Sequence, residues 1–434
     1  MRKIYAGLIG FGTVGKGVVK ILKQNHDIIE KKLGAELVLK RIADLDIKTS
    51  RGIDIDKSML TANAKELIED PEIEIIVELI GGINPAKEFI LGALGNGKHV
   101  ATANKSLLAK HGVEIFEAAA KAGKNIGFEA SVGGVIPVIR SLKEGFAADE
   151  VQSIYGIING TSNYILTKMT EEGKDFPSAL KEAQDKGFAE ADPTLDIGGG
   201  DSAHKIAVLG ALAFGTNIPL EEIHTEGITD ISPLDIKYAY DLGYKVKLLA
   251  IAKNIDGEID IRVNPTMIPF DNPLSNVNNE YNAIYIVGKN SGRTILFGKG
   301  AGELPTAVAV VGDMIEIARD ILSGAQSRIS PLSFKLNNIS RKKIKPVDEI
   351  TSRFYFRFSV VDMPGVLSKI SGILGDNGIS ISTVIQKNKA TDGKVSVVIM
   401  THDAIEKAVR KSLQEIDRLP IVLDSTVSIR VEAE

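Results

Sequence analysis

Within GFGTVG, Gly10, Gly12 and Gly15 are spaced G-x-G-x-x-G, a pattern that serves chemistry by what it leaves out. A pyrophosphate must approach backbone N–H groups at a helix N-terminus, where unpaired donors and the helix dipole favour an anion and side chains would block it. The three glycines leave room for the turn, the phosphate and the helix-to-strand contact, with Phe11, Thr13 and Val14 completing the loop. The spacing alone also describes a plain tight turn, but an apolar strand before it and a helical pattern after it point to dinucleotide binding. Asp44, at the end of the next strand, is placed to bind a ribose 2'-hydroxyl. Arg41, Lys48, Arg51 and Lys57 lie close in sequence, and one of them could accept a 2'-phosphate instead, so NAD and NADP both stay open.

A second constellation sets two lysines among carboxylates. Asn104 and Lys105 follow the apolar run HVATA, whose Thr102 stands near its end, where a strand of a parallel sheet ends and a ligand crevice opens. GFAEADPTLDIGGGDSAHK, Gly187 to Lys205, holds Glu190, Asp192, Asp196, Asp201 and Lys205. On residue types alone, this is as readily a surface loop with an Asp201–Lys205 helical pair as a site. Cysteine is absent, which excludes disulfides, thiolate metal sites and a cysteine nucleophile. The net charge of -4 offers no general attraction to nucleic acid or an anionic membrane. No apolar run reaches the ~18 residues of a membrane span, and the glycine-interrupted N-terminal run does not read as a signal peptide, so a cytoplasmic protein is expected.

The elements that must position these residues follow from the apolar periodicity. A length of 434 residues suggests about three domains. Residues 1–132 alternate strand and helix: strands at 3–9, 37–43, 73–79, 99–102 and 125–129, one long helix after the glycine turn, and helices at 85–96 and 107–122. That order predicts a Rossmann-like doubly wound parallel sheet. Residues 133–305 read as an α+β substrate-binding and dimerisation domain, with a helix at 135–146 and strands at 151–158, 246–252, 260–263, 283–287 and 294–298. The apolar helix 306–321 is expected to return to the first domain, extending it by 306–325. Residues 326–350, with the basic run Arg341 to Lys345, read as a solvated linker. Residues 351–434 run βαββαβ, a ferredoxin-like plait.

GFGTVG, ATANKSLLA, FEASVGGVIP, NGTSNYIL and the Gly187–Lys205 segment together resemble homoserine dehydrogenase, the form without a fused kinase, over essentially the full length. The resemblance implies reversible NAD- or NADP-dependent oxidation of L-homoserine to L-aspartate 4-semialdehyde, on the route to threonine and methionine. It implies that Glu190, Asp196 and Asp201 are substrate-side acids and that Lys105 and Lys205 stand at the reacting hydroxyl. Oxidising an alcohol requires a group to take its proton, and a lysine does so near neutrality only if burial or a second ammonium lowers its pKa. Lys205 is therefore expected to relay the proton, with Lys105 orienting the oxygen and lowering its partner's pKa. His204 is a rival base, but neighbours on a helix point about 100° apart and cannot both face one small substrate. The resemblance also implies a monovalent cation site, usually sodium, at Glu129, Val132, Gly134 and Ile136, and a nicotinamide-bordering segment at Gly160, Thr161, Ser162 and Asn163.

VVDMPGVLSKISGILGDNGISI resembles the ACT domain, which implies paired modules and an amino-acid effector, here threonine, near Asp362, Pro364, Gly365, Asn377 and Gly378. A homodimer or homotetramer is the expected assembly. Aspartate-semialdehyde dehydrogenase would need a cysteine, and phosphoglycerate dehydrogenase carries its glycine turn well inside the chain. The remaining alternative is a non-catalytic amino-acid sensor on a dehydrogenase fold.

Overall fold

The apolar run Lys3–Ile9 pairs with a strand on either side and becomes the middle of a six-stranded parallel sheet. The order across that sheet is Leu60–Thr61, Glu36–Ala43, Lys3–Ile9, Ile73–Glu78, His99–Thr102 and Ile126–Gly127, the doubly wound arrangement in which strand direction of travel reverses beside the first strand. The computed structural model describes residues 1–325, 328–386 and 394–432; parts of the expected linker and of the C-terminal plait thus lie outside the described residues. The helical pattern after the glycine turn is two helices, Thr13–Gln24 and His26–Leu33, rather than one. Asn25 leaves helical geometry (φ -107°, ψ 16°) and serves both ends, which turns the second helix so that Ile29 and Leu33 are buried.

The helix Glu303–Ser323 packs along Thr13–Gln24, and its Ala307, Val310, Met314 and Ile317 join the core of Ile4, Leu8, Val18 and Leu22. Close approach depends on Gly17, where a Cβ would stand 2.5 Å from the Glu303 carbonyl oxygen. Lys16 and Lys20 hold the Glu303 carboxylate at 2.7 and 2.6 Å.

A second sheet is built on two twelve-residue strands, Tyr244–Ile255 and Glu258–Pro269, flanked by Val151–Ile157, Tyr281–Gly288 and Gly292–Lys299. The expected strand at 260–263 is only a fragment of Glu258–Pro269. Arg262, Asn264 and Thr266 lie within it fully buried, so it lacks the polar-out alternation that would mark its length. The expected helix at 135–146 reduces to Val138–Arg140 followed by a wider π turn, Ser141–Gly145. Val422–Val431 pairs in parallel with Glu258–Pro269 (Thr266 with Arg430, Met267 with Val431), then continues through Thr351–Val361 and Lys394–Thr401 to Ile381–Ile385. The C-terminal plait and the central domain therefore share one sheet. The 341–345 segment is strapped down: Lys345 N donates to Ile259 O at 2.8 Å, Arg341 pairs with Glu222 and Lys343 with Glu258. No helix among the described residues is long and apolar enough to cross a membrane.

Candidate active site

Gly10 adopts φ +100°, and a Cβ on Gly15 would lie 2.1 Å from the Gly10 carbonyl oxygen, so the turn closes tightly on the helix start. Gly12 faces open space, with no atom within 4 Å of its would-be Cβ, which leaves a bare backbone cradle at the N-terminus of Thr13–Gln24. Asp44 reaches back to this loop: one carboxylate oxygen accepts Phe11 N–H at 2.6 Å and the other accepts Asp46 N–H at 2.9 Å. Arg51 lies beside it, 3.5 Å from the same carboxylate, with its Nε buried and without a hydrogen-bond partner. Arg41 instead pairs with Glu66. On the neighbouring strand, Glu78 is fully buried at the strand's end and accepts Ile80 N–H, Gly81 N–H and the Thr102 hydroxyl. It thereby shapes the loop Ile80–Asn84, which the motif reading did not single out. Asn104 bonds Gly82 O through its amide and caps the helix Lys105–Ala122 by accepting Leu107 N–H.

That cap aims Lys105 at the start of the helix Gly200–Phe214, where Asp201 is almost wholly buried. The Asp201 carboxylate receives Lys105 Nζ at 2.5 Å on one oxygen and Lys205 Nζ at 2.7 Å on the other. Lys205 also donates to Ile158 O at 2.6 Å and its side chain is 11% exposed, against 33% for Lys105. Burial lowers the Lys205 pKa, and the charge of Lys105 lowers it further against the pull of Asp201. Burial also acts to lower Lys105, but the charge and hydrogen bond of Asp201, with Asp196 and Glu190 behind, outweigh it and raise that pKa. Asp201 is held ionised: burial would raise its pKa, but the two ammonium groups drive it well below the usual carboxylate range. Asn159 completes the cluster, donating to Asp196 at 2.7 Å and Asp201 at 2.9 Å while its oxygen caps the helix Gly160–Glu172 by accepting Ser162 N–H. His204 turns aside to the Ser106 hydroxyl at 3.4 Å, and burial lowers its pKa.

A nucleotide cradle and a cluster of two lysines on one carboxylate occur together in this chain, and the comparisons show the family to which such a chain belongs. Residues 10–129 match the model described as homoserine dehydrogenase, NAD binding domain, residues 137–315 match homoserine dehydrogenase, and residues 354–420 match the ACT domain. The chain belongs to the homoserine dehydrogenase family. The homoserine dehydrogenase of Neisseria gonorrhoeae is 42% identical over 100% of this chain and 99% of its own, and that of Bacillus subtilis 38% identical over 100% and 99%. A solved homoserine dehydrogenase from Thiobacillus denitrificans superposes with a TM-score of 0.95 at 41% identity, covering 100% of this chain and 99% of its own. A hyperthermophilic archaeal homoserine dehydrogenase solved with NADPH, 30% identical, has a TM-score of 0.63 over 75% of this chain and 100% of its own. Full-length similarity of this kind does not favour the sensor alternative.

Two further regions named by the family resemblance can be placed. Glu129 is buried, with its carboxylate accepting Ile139 N–H at 2.8 Å and Arg140 N–H at 2.9 Å. Asp313, from the helix Glu303–Ser323, accepts Glu129 N–H at 2.8 Å and stands beside it; burial, then the Glu129 charge, pushes Asp313 up to about 7. Val132, Gly134 and Ile136 follow in the adjoining loop, although Ile136 O already accepts Val138 N–H. In the ACT module, Asp362 and Gly365 lie at the N-terminal end of the helix Val366–Asp376 and Asn377 and Gly378 at its C-terminal end. Eleven residues of helix separate them by about 16 Å, so one copy does not bring all four to one small ligand.

Proposed function

We propose that the chain catalyses the reversible oxidation of L-homoserine to L-aspartate 4-semialdehyde with NAD or NADP, as a cytoplasmic step toward threonine and methionine. The observation that carries this reading is the Asp201 carboxylate clasped between the Lys105 and Lys205 ammonium groups. The bound nicotinamide supplies hydride acceptance and return. Lys205, buried and lowered in pKa, takes the hydroxyl proton on Nζ; the ammonium it becomes is held by Asp201 and Ile158 O. Lys105, the more exposed lysine, orients the substrate oxygen. Asp201 acts between the lysines, leaving Glu190 and Asp196 for the substrate ammonium.

Asp44 favours a free ribose 2'-hydroxyl and Arg51 a 2'-phosphate. Following the absorbance of reduced nicotinamide with homoserine and each dinucleotide in parallel tests both the reaction and the preference. No nicotinamide reduction with either would refute the reading. A sodium ion at Glu129, Val132, Gly134 and Ile136 is supported by the pairing of two buried carboxylates, Glu129 and Asp313, which oxygen-loving hard cations relieve. Replacing sodium by a bulky organic cation should then lower turnover. Threonine at the ACT module is proposed to sit between two copies, one giving Asp362 and Gly365 and the other Asn377 and Gly378. An assembly of two or four chains is supported by Ile295 and Phe297, exposed on the edge strand Gly292–Lys299, and sedimentation would measure it.

A further inference from the structure

The carboxylates of the crevice rest on a floor that a side chain of the C-terminal module holds in place. The segment His224–Ile228 runs beneath the turn Ile197–Gly199 that leads into Asp201. Ile228 N donates to Ile197 O at 2.9 Å, and Glu226 N donates to Val263 O at 2.8 Å, fixing the floor to the strand Glu258–Pro269. Contact between floor and turn is close enough to demand glycine on both sides. A Cβ on Gly227 would meet Ile197 O at 2.3 Å; one on Gly199, at φ +85°, would stand 3.0 Å from Thr225 Cγ2 and 3.2 Å from Glu226 O. Movement of the floor therefore moves the turn, since the two surfaces leave no space between them.

The floor is gripped from its other side by Arg430, on the strand Val422–Val431. Its buried guanidinium donates to both oxygens of Glu226, at 2.7 and 3.0 Å, and to both oxygens of Glu406 at 2.9 and 2.8 Å. His224 Nε2 lies 2.6 Å from the same Glu226 carboxylate. A fork with both faces filled by carboxylates holds orientation as well as distance, which a flexible ammonium would not.

We propose that Arg430 is a positioning residue for the homoserine side of the site: through Glu226 it fixes His224–Ile228, and through that floor it sets where Asp196 and Asp201 stand. This rests on the functional reading above. The dinucleotide cradle shares none of these contacts, so the effect should separate by substrate.

In the full-length protein, Arg430→Met should raise the KM for homoserine about tenfold, as expected when positioning is loosened, with the dinucleotide KM unchanged within about twofold. Glu226→Gln should do the same, and the double variant should be no worse than either single one, because both remove one linkage. An unchanged homoserine KM in a folded Arg430→Met protein, equal losses for both substrates, or additive single effects would each overturn the proposal. Should Arg430→Met fail to fold, Glu226→Gln decides: it leaves the guanidinium paired with Glu406 and weakens only its hold on the floor, so its homoserine KM must rise alone. Wild-type protein that does not oxidise homoserine fails the functional reading itself, a different result from any of these.

Discussion

Around Lys205 and around Lys247, the central domain buries an amine in two different ways. Both amines donate to a backbone carbonyl, Ile158 O at 2.6 Å and Val277 O at 2.5 Å. Lys205 adds the Asp201 carboxylate, and a second lysine shares that carboxylate. Lys247 adds only neutral oxygens, those of Asn163 and Asn278, each at 3.2 Å, and burial, then the charge of Lys245, brings its pKa down to about 7. Burial alone can make a neutral amine, but it gives that amine nowhere to send charge. A carboxylate in the crevice keeps the amine dischargeable and rechargeable, because the ammonium form has a partner waiting.

The largest effect expected from breaking this contrast is at Lys205. Lys205→Ala should lower kcat by at least about a thousandfold while dinucleotide affinity, read from the fluorescence of the bound reduced form, is retained; a near-normal kcat would remove Lys205 from the chemistry. Next comes Asp201→Asn, which should cost about a hundredfold in kcat/KM for homoserine. Loss of that negative charge lets the lysines shed protons more easily, so the acidic limb of the oxidation profile should move to lower pH. An unmoved limb would mean that neither lysine is the titrating base.

Lys247→Met should leave kcat within about twofold and speak instead through stability. The wild-type amine has a folded pKa of about 7 against an ordinary 10.5, so the unfolded chain binds the extra proton between those values. Wild-type stability should accordingly fall as pH drops from 10.5 towards 7, and the methionine variant, followed by denaturant midpoints, should lack that slope. The smallest effect is at Asp313, the acid counterpart, raised from 3.8 to about 7. Here the folded chain holds the extra proton, so stability declines as pH rises through that window, and Asp313→Asn should flatten the decline. Parallel curves for variant and wild type would contradict the buried-acid assignment.

What the sequence disclosed was local. Gly10, Gly12 and Gly15 could be read because a backbone that must approach a phosphate permits no other residue there, and the βαββαβ order of the plait because helix and strand periodicities alternate cleanly. The Asp201–Lys205 pair was legible as neighbours on a helix, but Asp201's grip on Lys105 was not, since their sequence separation is set by folding alone. Asn159, which ties Asp196 and Asp201 together, entered the sequence reading only as the first residue of NGTSNYIL. Glu258–Pro269 hid most of its length because its polar residues are buried in ion pairs and sheet, where a periodicity argument expects apolar side chains. The connector around Arg341 to Lys345 looked free for the opposite reason: its charges suggest water, while their partners Glu222 and Glu258 are remote in sequence.

The shared sheet has a consequence for biosynthesis. Arg262 and Glu432, 170 residues apart, are partners across the seam. A growing chain that has already made its glycine cradle, Lys105 and Lys205 must wait, with Thr266 and Met267 on one margin of Glu258–Pro269 still lacking their strand partners, until the C-terminal plait emerges. During that interval the margin is open to other nascent copies, so ribosome-bound or prematurely stopped chains are the forms most exposed to clumping.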